Sequence, residues 1–591
     1  MNKARQWCLL VLVVFAWCLV EVSSGCKVVA ADKPNVIVVL TDDQGYGDLS
    51  AHGNPYLKTP HLDELASQSV RLTDFHVAPM CTPTRAQLLT GRDCLASGAM
   101  NVSSGRSLLR TELPTMADFF KAGGYKTGIF GKWHLGDNYP YRPQDRGFEE
   151  SLWFPSSHIG SVPDAWDNDY FNDQYRRNGS LQRYEGYCTD IFFDEAMQWM
   201  RKRQAAKESF FAYIPLNAAH WPWFVPDEYR KPYHQQEPNI ASYYGMIANI
   251  DENIGRLETM LRETGLRDNT ILIFMSDNGG TIGVPLYNAG MRGHKVELWE
   301  GGHRVPCYVR WPAGHLGEPR EIDSLTHCQD WLPTLIELCG LPNKTKIPFD
   351  GVSLSSLLRG KVESLADRML VVQFSRMNVS RPQKGDAAVM WNRWRLLPDA
   401  ELYDLRNDLA QQHNVIDGHP EIAAKMRAHY DGWWEQIEPR LDEFQPTHIG
   451  SDKENPTLVT ACEWADVFVD QGVQVRRGVR KNGVWHIQVE QAGEYEFRLR
   501  RWPNSVNVAM TAPIPAHDGE DGDYEPGVSL LIAKARLRIG SHDQSIAVSD
   551  HDHEASFTLK LPAERTTMQS WFYDKGGKEI CGAYYVYVRR K

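Results

Sequence analysis

Short apolar runs that stop abruptly at polar residues recur through the first half of the 591-residue chain. This alternation limits the possible folds more than any other feature. "NVIVVL" (35–40), "YKTGIF" (125–130), "SFFAYIPL" (209–216), "NTILIFMS" (269–276) and "RVPCYVRWP" (304–312) read as buried strands. Between them, "PHLDELASQSV" (60–70), "TMADFFKAGG" (115–124) and "YYGMIANIDENIGRLETMLRETG" (243–265) space their apolar residues as helices do. Strands alternating with helices predict an α/β fold: a large, mostly parallel sheet sandwiched by helices.

The pattern changes further on. "AAVMWNRWRLL" and "AELYDL" read as short antiparallel strands, with "PEIAAKMRAHYDGWWEQI" as a helix lying back on them. "PTHIGSDKENPT" reads as a linker. Beyond it, "VWHIQVE" and "EYEFRLRRW" alternate apolar and polar residues around a "QAG" turn, and "GVSLLIAKARLRIG", "EASFTLKL" and "GAYYVYVRR" continue the strand pattern. The expected organisation is a signal peptide (1–31), an α/β catalytic domain (32–370), a small antiparallel subdomain (371–445) and an appended β-rich sandwich (455–591). Alternating apolar residues such as Trp485, Tyr495 and Trp502 read as core of that sandwich, with a sugar-binding platform as the alternative. The acidic "AHDGEDGDYEPG" reads as a loop.

Lys3 and Arg5, the run "WCLLVLVVFAWCLV" and the small-residue end at Ala31 have the layout of a cleaved export signal. The run is short for a membrane span. Export to the periplasm or extracellular space follows, with no stable membrane insertion. The net charge of −11, with both signs mixed, gives no footprint for nucleic acid. Three of the 11 cysteines leave with the signal, and the rest show no CxxC spacing, so a zinc site is not expected.

The chemistry collects where strands end. After the first come Asp42 and Asp43, after "TILIFMS" Asp277 and Asn278, after "KTGIF" Lys132 and His134, and after "FFAYIPLNAA" His220. Ligands of open α/β sheets bind beyond the carboxyl ends of strands. Three carboxylates and an amide make an all-oxygen set suited to Ca²⁺ or Mg²⁺. Asp and Asn also open turns after strands on their own account, so the set carries more weight than its members. Lys132 and Lys295 taken singly are surface lysines, and His134 and His220 structural histidines. Trp133, Trp221 and Trp223 flank these groups, and His158 in "FPSSHIG" is placed near the pocket.

"PMCTPTRAQLLTGR" (79–92) sets Cys81 just before a helix, with Thr82 as its cap, Pro83 in its first turn, Arg85 a turn further and Gly91 ending it. Alone, Cys81 also reads as a small buried hydrophobe.

"CTPTRAQLLTGR" resembles the signature of the type I sulfatases, a family of the alkaline phosphatase superfamily, with Thr84 where Ser is commoner. "NVIVVLTDDQGYGDLSAHGNP", "GYKTGIFGKWHLG", "LNAAHWPWFVP" (Ala219 replacing a usual Pro), "FMSDNGG", "MRGHKVELWEGGHRVP" and "AELYDLRNDLAQQHNV" are similar to further family segments, over about residues 34–440. The resemblance implies an alkaline-phosphatase-like fold and a Cys81 oxidised to formylglycine by a generating enzyme that reads the unfolded chain. It implies Ca²⁺, rather than Mg²⁺, held by Asp42, Asp43, Asp277, Asn278 and position 81. One hydroxyl of the hydrated aldehyde would attack sulfur, and deprotonation of the other by His134 would expel sulfate. Arg85 would stabilise the diol, Lys132 and Lys295 would hold sulfate charge, and His220 or Lys295 would protonate the leaving alcohol. The expected substrate is a sulfated carbohydrate. Phosphonate or phosphate monoester hydrolysis on the same fold is one alternative, and a catalytically silent carbohydrate-binding protein is another.

Overall fold

The computed structural model describes residues 33–374, 381–397 and 401–591. The expected signal peptide lies outside the described residues. A ten-stranded sheet forms the centre of the molecule. Its middle is parallel: Thr270–Ser276, Asn35–Thr41, Phe210–Pro215, Lys126–Lys132 and Glu150–Phe154 lie side by side in that order. Cys307–Arg310 runs antiparallel against Thr270–Ser276, so the sheet is mixed, as expected of a mostly parallel one.

The first strand reads as an unbroken apolar run because both its faces are covered. Val36, Val38 and Leu40 pack with helices Cys81–Thr90, Met116–Ala122 and Trp331–Cys339 on one side. Ile37 and Val39 pack with Pro60–Ser67, Cys188–Ala205 and Pro238–Glu263 on the other. Among the described residues, no helix is long and apolar enough to cross a membrane. All eight cysteines of the described chain are unpaired and buried.

A four-stranded antiparallel sheet follows, Met369–Gln373 to Glu401–Asp404, and helix Pro420–Ile437 lies against it. The last part is a sandwich of a six-stranded and a four-stranded sheet around one apolar core. In Ala555–Leu561 buried and exposed residues alternate strictly, as one covered face requires. Trp485, Tyr495 and Trp502 lie inside this core and offer no sugar platform.

Two local expectations change. The stretch read as a linker contributes strand Thr447–Ile449, which pairs with Val484–Val489 in the sandwich. The two strands flanking "QAG" do not pair with each other: Val484–Val489 joins one sheet and Gly493–Arg500 the other. The turn therefore crosses between layers.

Candidate active site

The carboxyl ends of the parallel strands converge on one buried nest. Past the strand ends, Asp277 N donates to Thr41 O (3.0 Å) and Asp42 N to Ala218 O (3.0 Å), so neighbouring strands keep their loops in register. Asp43 has a left-handed backbone, φ 61°. The Tyr243 hydroxyl, on helix Pro238–Glu263, lies 2.7 Å from the Asp43 carbonyl and 2.6 Å from Asp48, pinning this unfavourable conformation.

Cys81 is the first residue of helix Cys81–Thr90 rather than the residue before it. Met80, extended, takes the cap position, and the Thr82 hydroxyl has no partner. Gly91 closes the helix at φ 65°, the left-handed turn that favours glycine. Cys81 Sγ lies 3.4 Å from Asp42 Oδ1 and 3.6 Å from Lys295 Nζ. Ligand atoms of Asp42, Asp43, Cys81 and Asp277 all lie within 4.8 Å of one another.

Cations interleave with these carboxylates. Lys132 bonds Asp42 at 2.5 Å and Lys295 bonds Asp43 at 2.6 Å. Arg85 clasps Asp277 through Nε (3.2 Å) and a terminal nitrogen (2.7 Å) and donates to the carbonyls of Lys132 and Leu216. Its guanidinium therefore braces the acidic wall. Asn278 Nδ2 donates to Asp43 (2.9 Å), while Asn278 Oδ1 is buried with no hydrogen-bond partner among the described residues. An orphaned buried carbonyl on a residue bonded to Asp43 fits a hard cation, and an all-oxygen donor set fits Ca²⁺.

Burial, with Asp42 beside it, pushes the Cys81 thiol up to about 12, so sulfur stays protonated. Burial, with Asp42 again, lifts Asp277 to about 6. Asp43 sits below the usual carboxylate range, because Lys295 and His220 outweigh the burial that opposes its charge. Burial also opposes the Lys295 ammonium, but Asp43 more than offsets it and raises the pKa.

The histidines are ordered by backbone carbonyls. His134 Nε2 meets Val102 O at 2.8 Å, leaving Nδ1 buried and, among the described residues, unpartnered. Burial and the Lys132 charge hold its pKa well below the ordinary value. His220 Nδ1 meets Trp221 O at 2.6 Å, and its Nε2 is 3.9 Å from Asp43. Burial and Lys295 lower His220 to about 3. His158 stacks on His220 with centroids 5.3 Å apart, in keeping with its expected place near the pocket. Trp133 is fully buried and donates to Tyr141 O, a packing role.

All ten expected site residues thus gather in one place. Sequence reasoning missed Ser157 and Asp470. Ser157 donates to Asp470 Oδ2 at 2.7 Å from a position 313 residues away. A lone Asp in a loop of the C-terminal part carries no signal of that distance.

A mixed, mostly parallel sheet with an acidic nest at its carboxyl ends places this molecule in the alkaline phosphatase superfamily. The sulfatase family model matches residues 34–341. Arylsulfatase A of Bos taurus is 33% identical, over 73% of this chain and 94% of its own. N-acetylgalactosamine-6-sulfatase of Sus scrofa is 29% identical, over 58% of this chain and 70% of its own. The crystal structure of Ps i-CgsB in complex with k-i-k-neocarrahexaose aligns at TM-score 0.62 and 26% identity, covering 70% of this chain and 94% of that one. The chain belongs to the sulfatase family. It is an enzyme of sulfate-ester hydrolysis.

Proposed function

We propose that this sulfatase is exported, loses residues 1–31 and cleaves sulfate esters of carbohydrates with a formylglycine made from Cys81. Residues 32–370 form its catalytic unit, 371–445 a subdomain of that unit and 455–591, extended by strand Thr447–Ile449, an appended β unit. The likeness to N-acetylgalactosamine-6-sulfatase, and to a structure solved with neocarrahexaose bound, supports the substrate class. One observation carries the chemistry. Cys81 stands 3.4 Å from Asp42 at the centre of the acidic nest, yet its thiol is pushed up to about 12. A buried neutral thiol is a poor nucleophile, which supports its replacement by an oxygen nucleophile at this position.

Formylglycine supplies two hydroxyls on one carbon when hydrated. Asp42, Asp43, Asp277 and Asn278 would hold Ca²⁺, which supplies Lewis-acid polarisation of the sulfate. Arg85 fixes Asp277 in this set. Lys132, paired with Asp42, and Lys295, paired with Asp43 and 3.6 Å from Cys81 Sγ, meet the charge that grows on sulfate oxygens. His134 Nδ1, bare and buried, takes the proton whose loss releases sulfate. Lys295, held as an ammonium by Asp43, and His220, whose Nε2 is 3.9 Å from Asp43, are the two candidates for protonating the leaving oxygen.

Peptide mass spectrometry across residues 73–92 of protein made with a formylglycine-generating enzyme tests this reading. A loss of about 18 Da at Cys81 is expected, as for thiol-to-aldehyde oxidation. Turnover of p-nitrophenyl sulfate is expected to vanish in Cys81→Ala. An unmodified thiol in protein that still hydrolyses sulfate esters would sink it.

A further inference from the structure

We infer that Asp470, from the C-terminal β layers, fixes the tautomer of His158 so that His158 Nε2 accepts a substrate hydroxyl beside the ester being cleaved. This rests on position 81 being the reacting position.

The backbone of Asp470 is tied to the catalytic part. Val162 N donates to Asp470 O (2.7 Å), and Gly472 N donates to Gly160 O (2.9 Å). Gln474 Oε1 accepts from Asp470 N at 3.0 Å. The side chain is buried, 3% exposed, and Oδ2 accepts the Ser157 hydroxyl at 2.7 Å. That uses the only proton Ser157 has. Its oxygen can then only accept from His158 Nδ1, 2.7 Å away. Nδ1 therefore carries the imidazole hydrogen, and Nε2 keeps its lone pair.

His158 is 2% exposed, and among the described residues its Nε2 has no hydrogen-bond partner. The ring lies parallel to His220 within 18° and 5.7 Å from Trp221. Burial, with His220 and Lys132 nearby, keeps it neutral. A buried acceptor without a donor is unfavourable, and a ligand that supplies one gains by it. A sugar hydroxyl next to the sulfate is such a donor. An aryl sulfate lacks one. Asp470 is thus a positioning residue, and His158 selects for hydroxylated substrates.

The test uses the full chain with position 81 matured. Wild type, Asp470→Ala, Asp470→Asn and Ser157→Ala are assayed on p-nitrophenyl sulfate and a panel of O-sulfated monosaccharides. The best sugar is then compared with its analogue lacking the neighbouring hydroxyl. Asp470→Ala and Ser157→Ala are expected to lose kcat/KM on the sugar sulfate about tenfold more than on the aryl sulfate. The deoxy analogue is expected to show no such excess. Asp470→Asn, whose amide oxygen still accepts from Ser157, is expected to keep most of the wild-type ratio. Thermal melts and the mass of the Cys81 peptide report whether each variant is folded and matured. Equal losses on both substrates, or none, would overturn the inference and leave the Cys81 reading standing. Failure of wild type on every sulfate ester would overturn both.

Discussion

Asn278 Oδ1 is buried and, among the described residues, without a hydrogen-bond partner, and a cation held there would relieve its cost. Chelation with EGTA is expected to lower the unfolding temperature of the intact protein, since a ligand that binds only the native state stabilises it. In Asn278→Leu the Ca²⁺ concentration that restores stability is expected to rise by about tenfold or more, the scale seen when a metal site loses a supporting group. A calcium titration followed by thermal melting checks both, and a melt indifferent to EGTA would refute the site. Asp42, Asp43, Asp277 and Asn278 were legible because each follows a strand that the sequence marks as an apolar run. Ser157 and Asp470 were not. Their meeting depends on how the β layers dock, which no local pattern encodes.

Helix Pro60–Ser67 borrows its cap from another helix. Thr59 precedes helix Pro60–Ser67 but gives it no side-chain cap. Asp251, on helix Pro238–Glu263, instead accepts from Leu62 N (2.7 Å) and His61 N (3.2 Å). Burial lifts Asp251 to about 6 from the ordinary 3.8 of an aspartate. Between those values the folded chain keeps a proton that the unfolded chain has lost, so this group's contribution to stability falls as pH rises from 3.8 towards 6. Asp251→Asn is expected to gain on wild type across that window, with the difference flat above it. Urea unfolding of both proteins at pH 4.5 and 7.5 measures this, and a difference that shrinks with pH would be the wrong sign. Strand and helix identities were readable from periodicity. Partnership was not: "VWHIQVE" and "EYEFRLRRW" look like a hairpin because alternation shows which face is buried and not which neighbour is bonded.

The molecule holds its two ends together through a polar seam. Arg106, 3% exposed, donates to Asp466 (2.9 Å) and to Leu441 O (2.6 Å) and lies 4.2 Å over the Phe444 ring. Asp521 accepts from Val225 N (2.7 Å) and Arg230 (2.6 Å), so the acidic loop is an anchor beside the His220 segment. Arg106→Ala is expected to lower stability by about 2 kcal/mol through lost charged hydrogen bonds. It should also open residues 442–456 to protease, and urea unfolding with limited proteolysis reads both effects. A variant as resistant as wild type would mean the seam does not depend on this residue. The α/β class and the β-rich tail could be read from the chain, whereas the seam depends on charges hundreds of residues apart. The folded seating of Cys81 also has a consequence in time. Every residue of helix Cys81–Thr90 is buried, so once the chain closes around it no second protein can reach the sulfur. Under the function proposed above, conversion of Cys81 is confined to the interval between synthesis and folding, and a copy that folds first would keep its thiol for good, indistinguishable in shape from a converted one.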